Sequence, residues 1–106
     1  MTTTQMRATR FLGATKSEIE EAEFLADILR EPDPLGTLAT LMEWLPESAF
    51  DQRTTGSVYT RLKILAYELR PLTLDNLRET LVRFPDEQVS IAVDDVAEIL
   101  AGARHE

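Results

Sequence analysis

The sequence predicts an all-α fold, a single small bundle of about five amphipathic helices, and three observations lead there. Apolar residues recur every three or four positions in five separate segments. Those segments open on Ser, Thr or Asp signals and close on Arg with Pro, or on Gly. One stretch, 89–93 (Val-Ser-Ile-Ala-Val), alternates as a strand would, and the one weak candidate for its partner is 6–12. A strand needs a partner, so an α+β fold with a short strand near 89–93 is the alternative architecture. At 106 residues and 43% hydrophobic content the chain can build one core without a disulfide or metal staple.

Residues 1–16 carry Arg7, Arg10 and Lys16 with no acid and read as a flexible basic tail, with a targeting segment as the alternative. Residues 17–102 form the helical domain, and 103–106 a disordered C-terminus.

The first helix opens on a capping box, Ser17 with Glu20, and runs an apolar stripe through Ile19, Ala22, Leu25, Ala26 and Leu29. Phe24 and Ile28 fall on nearly the opposite side, among Glu20, Glu21 and Glu31. Asp33 caps the second helix with Pro34 in its first position. Its stripe is Leu35, Leu38, Leu41, Met42 and Leu45, and Trp44 projects roughly 90° away from it. Ser57 is the predicted cap of the third helix, whose seam is Val58, Leu62, Leu65 and Leu69 and whose far side carries Tyr59, Lys63, Tyr67 and Arg70. Thr73 caps the fourth, with Leu74, Leu77, Leu81 and Phe84 as its seam. The fifth starts near 85–87 and stops at Gly102. Val89, Ala92, Val93, Val96, Ile99 and Leu100 share its apolar arc, and Ile91 alone falls off it.

The formal charge of −8 is segregated: 1–16 is +3, 17–51 is −9, 52–85 is +3 and 86–106 is −5. The chain has no cysteine, which removes thiolate chemistry and cysteine-ligated metals, and its single histidine, His105, stands next to last, which disfavours a catalytic triad. No apolar run approaches the ~20 residues of a membrane span, and no signal-peptide core is present, so the expected location is cytoplasmic. Phosphate-binding glycine loops and His-Glu metal motifs are missing. Asp51 to Gly56 fails as a calcium loop because Arg53, Thr55 and Leu62 occupy ligand positions. The adjacent acids Glu20-Glu21 and Asp94-Asp95 point about 100° apart on a helix, which suits solvation better than acid–base catalysis.

These exclusions predict a noncatalytic protein without cofactor or metal. The leading expectation is a small acidic accessory or regulatory protein that binds a protein partner, or itself, through the first two helices. Its contact surface is Phe24, Ile28 and Trp44 with Glu20, Glu21 and Glu31, because aromatic side chains off the core stripe and ringed by charge resemble an interface hot spot. Tyr59, Lys63, Tyr67 and Arg70 make a secondary surface. One alternative is an acidic nucleic-acid mimic that inhibits a DNA- or RNA-binding protein. Another is a helical DNA-binding regulator using the basic hairpin 57–84, which the net charge disfavours. Nine Arg against two Lys hint at a prokaryotic or phage origin.

Overall fold

A computed structural model describes Phe11 and residues 16–102 of the chain. It is all-α: α1 (Glu18–Arg30), α2 (Pro34–Met42), a 3-10 turn (Glu47–Ala49), α3 (Arg53–Tyr67), α4 (Leu74–Arg83) and α5 (Glu87–Leu100), with no strand among the described residues. None of these helices is long and apolar enough to cross a membrane. The hub is α3, which touches the other four helices and the 3-10 turn, while α1 makes its most extensive contact with α5.

Most helix starts follow from local chemistry. Ser17 Oγ accepts from the Glu20 amide at 3.2 Å while the Glu20 carboxylate accepts from the Ser17 amide at 3.3 Å, so two amides with no intrahelical partner are satisfied together. Asp33 caps α2 through the Gly36 amide at 3.1 Å, and a Cβ at position 36 would collide with that capping carboxylate. Thr73 caps α4 through the Asn76 amide, and Asp86 caps α5 through the Gln88 and Val89 amides. Helix α5 continues through 89–93, which removes the strand alternative. Val89, Ala92, Val93 and Val96 are fully buried at helical spacing, and only Ile91 turns outward.

The third helix departs from expectation. It begins at Arg53, not at Ser57, and its N-cap residue, Gln52, makes no side-chain cap bond. The cap comes from elsewhere in the chain. Glu21, fully buried in the first turn of α1, accepts from the Asp51 amide at 2.6 Å, the Gln52 amide at 3.1 Å and the Thr55 hydroxyl. A carboxylate at a helix N-terminus suits the helix dipole, and with three donors it is not left unpaired in the interior. Asp51 also binds the Lys16 amide at 2.7 Å. One knot of polar groups thus ties the start of α1 to the start of α3.

Beside this knot lies an aromatic cluster. Phe11 stacks on Phe24 with ring centroids 4.5 Å apart and meets Phe50 edge-on at 4.9 Å, and Phe50 leans on Tyr59 at 5.0 Å. Lys16 Nζ donates to the Phe11 carbonyl at 2.7 Å and lies 4.4 Å from its ring centroid. Two residues expected in a flexible tail, Phe11 and Lys16, are therefore packed, because the rings of Phe24 and Phe50 give Phe11 an apolar seat. The remainder of 1–16, and 103–106, lie outside the described residues.

Two seam assignments also fail at helix ends. Leu69 is 83% exposed and Phe84 54% exposed. Both stand beyond the last helical residue of their elements, where the 100° periodicity no longer applies. Leu69 has φ +56°, and bonds from the Leu69 amide to the Ala66 carbonyl and from the Arg70 amide to the Leu65 carbonyl complete a Schellman C-cap around it. Leu72, which follows Pro71, is buried instead.

Candidate functional site

The surface expected on the first two helices is only partly a surface. Phe24 and Ile28 are 3% and 0% exposed. Helix α1 is apolar on two sides because it is packed against α2, α3 and α5, with Phe24 seated between the Phe11 and Phe50 rings. Glu21 is fully buried as the cap of α3. Glu20 is exposed and serves the capping box, and Glu31, half-buried, terminates α1 through its amide bond to the Ile28 carbonyl.

Trp44 remains, 38% exposed. It sits in the turn that ends α2, its amide bonded to the Leu41 carbonyl at 3.1 Å. The next residue, Leu45, is fully buried, and its carbonyl accepts from the Tyr59 hydroxyl at 2.8 Å. Burial pushes the Tyr59 pKa up to about 12, so the phenol stays a donor at neutral pH. The backbone bearing Trp44 is thereby clamped to α3, and the indole is held at the surface by its neighbours' burial. Exposed Glu43 precedes it and exposed Glu47 follows three residues later. Glu47, Phe50, Gln52 and Arg53 line a shallow groove of about 280 Å³ between the 3-10 turn and α3.

The secondary surface does not come together. Tyr59 is fully buried because its ring belongs to the aromatic cluster, and Lys63 lies over it at 5.1 Å from the centroid. Tyr67 is 78% exposed, and Arg70 is engaged by Glu79 and Asn76. The other arginines of the hairpin are occupied too. Arg61, buried, closes the end of α4 by donating to the Thr80 carbonyl at 2.8 Å and the Phe84 carbonyl at 2.7 Å, and desolvation pulls its pKa down. Arg83 grips Glu68 with both terminal nitrogens, at 2.9 and 3.0 Å, and Arg78 lies 3.8 Å from Asp94 of α5.

What the sequence reading missed is a second set of exposed apolar side chains: Leu69, Val82, Phe84 and Ile91. A signal existed for two of them, since Ile91 falls off the α5 arc and Val82 off the α4 seam. No cluster of three or more His, Asp or Glu groups that could hold a metal ion occurs among the described residues. Compared with models of known protein families, with curated proteins and with solved structures, the chain matches none.

Proposed function

We propose that the protein is a noncatalytic docking module that binds a basic partner protein through the α1–α2 side, with Trp44 as the anchor. The observation that carries this reading is the placement of Trp44. The only tryptophan of the chain is partly exposed on a backbone clamped by Leu45 and Tyr59, between exposed Glu43 and Glu47. Residues 17–51 carry ten acids against Arg30 alone, so the surroundings favour a cationic partner. An indole face also attracts Arg and Lys side chains, and aromatic anchors with a polar rim are what binding hot spots are made of.

The nucleic-acid mimic has less to stand on. Glu21 is buried, and Glu68, Glu79, Asp86 and Asp94 are paired with arginines, which interrupts any row of phosphate-like charges. The DNA-binding reading loses the stripe it needed, because Tyr59 is buried and Arg61, Arg70, Arg78 and Arg83 are engaged within the chain.

Salt separates these readings. Partner retained on the immobilised chain from a native-host extract is measured from low to high ionic strength. An aromatic anchor with a charged rim predicts a shallow decline, because the buried indole contact is not screened. A steep decline, linear in the logarithm of salt over several decades of affinity, would favour mimicry and overturn the docking proposal.

A further inference from the structure

We infer that Phe11 and Lys16 form a clasp that sets the exposure of Trp44, so that unseating the chain ahead of α1 turns the docking surface off. Two relays lead from the clasp to the segment that bears the indole. In the first, the Phe11 ring meets Phe50 edge-on at 4.9 Å, Phe50 leans on Tyr59 at 5.0 Å, and the Tyr59 hydroxyl donates at 2.8 Å to the carbonyl of Leu45, the neighbour of Trp44. In the second, the Lys16 amide donates to the Asp51 carboxylate at 2.7 Å, and Lys16 Nζ stands 3.6 Å from the same oxygen. The 3-10 turn that follows Trp44 is thus pinned at Leu45 on one side and at Phe50 and Asp51 on the other. Both pins lead back to positions 11 and 16.

The clasp is separable from the helices. Helix α1 makes its most extensive contact with α5, and α3 also packs on α5, so the bundle closes on itself without residues 11 and 16. Phe11 is seated by the rings of Phe24 and Phe50 and by the Lys16 ammonium, which donates to its carbonyl at 2.7 Å and lies 4.4 Å from its ring centroid. A segment held by so few groups opens at a lower free energy than the helices it covers. When the Phe11 ring leaves, Phe50 loses its edge-on neighbour and Tyr59 loses the backing that keeps its hydroxyl on Leu45. The indole is then no longer held in the one orientation that a partner reads, and binding weakens without any contact between the partner and the clasp. This consequence for binding rests on the docking reading; the link between the clasp and Trp44 does not.

Trp44 is the only tryptophan, so its fluorescence reports on the clasp in the free, full chain. In Phe11→Ala the far-UV circular dichroism stays helical while acrylamide quenching of Trp44 rises and its emission shifts to the red. In urea the tryptophan signal of this variant changes ahead of the helical one. Phe11→Leu, which keeps an apolar side chain in the seat, restores much of the wild-type quenching, and Lys16→Met shifts it in the same direction as Phe11→Ala. On a Tyr59→Phe background Phe11→Ala adds less than it does alone, because both act on one relay. Affinity for the basic partner falls about tenfold or more in Phe11→Ala. Wild-type quenching in Phe11→Ala, or tryptophan and helix signals that coincide throughout its urea transition, makes Phe11 an ordinary core residue and overturns the proposal. So does full additivity with Tyr59→Phe, or an unchanged affinity in Phe11→Ala where Trp44→Ala loses binding. A partner indifferent to Trp44→Ala overturns the docking reading instead, and the clasp then stands or falls on the fluorescence of the free chain.

Discussion

Residues 17–51, at a net −9, and 52–100, at a net −2, contribute to the same core and handle charge in different ways. The first stretch buries one of its ten acids, Glu21, uses it to organise the start of α3, and leaves Glu18, Glu20, Asp33, Glu43 and Glu47 exposed. The second ties four of its arginines to acids of other elements and exposes apolar side chains: five of the six large exposed hydrophobics of the described residues lie in it. The sixth, Trp44, stands among the acids. The difference teaches that the second stretch holds bases enough to pair with many of its own acids, whereas the ten acids of the first have only Arg30 within their stretch. A face with unbalanced charge favours a partner of opposite charge.

The comparison is most easily broken at Glu21. Glu21→Ala takes the acceptor from two part-buried amides and a buried hydroxyl, and the expected loss is about 3 to 5 kcal/mol in urea unfolding. A loss under about 1 kcal/mol would mean that α3 is started by its own sequence. Next comes the clamp beneath Trp44. Tyr59→Phe leaves the Leu45 carbonyl without its donor and costs about 1 to 2 kcal/mol, with faster amide exchange at residues 43–46.

In the second stretch, Leu69→Gly should stabilise the chain by about 0.5 to 1 kcal/mol. The left-handed φ of +56° penalises a Cβ, and a side chain 83% exposed contributes little burial to lose. The smallest effect concerns pH. Hydrogen bonds from Arg83, Arg70 and Arg53 hold the Glu68, Glu79 and Asp86 carboxyls below their usual values. Folded-state values below unfolded ones mean that these pairs stabilise above the ordinary carboxylate range. That contribution is lost as pH falls through the depressed values. Glu68 and Glu79 are exposed and Asp86 is half-buried at the surface, so solvent screens the pairs and the effect is small. The urea midpoint of the wild type should converge on that of a Glu68→Gln, Glu79→Gln, Asp86→Asn variant as the solution is acidified; a constant gap down to about pH 2 would show that the pairs do not contribute as charges.

Helices and caps were legible in the sequence where the determining contact is local. Ser17, Asp33 and Thr73 cap as expected because each bonds an amide within three residues. The start of α3 was not legible, since its cap reaches across thirty residues from Glu21. Periodicity correctly showed that α1 has two apolar sides, and it could not show that both are covered, because Phe11 and Phe50 reach Phe24 only through the tertiary fold. Leu69 and Phe84 were misplaced by extending a helical seam past the residue where the helix ends. Of the expected contact surface, Trp44 kept its exposure because it lies in a turn, outside the regular part of α2.

The most direct test of an acidic docking side anchored by Trp44 is Trp44→Ala, measured for urea stability and for affinity toward the co-purified partner in the same preparation. A partly exposed side chain beyond the end of α2 predicts a stability change under about 1 kcal/mol together with a loss of affinity of about thirtyfold or more. A stability loss in the 3 to 5 kcal/mol range of a buried aromatic truncation, or a partner that binds the variant as tightly as the wild type, would contradict it.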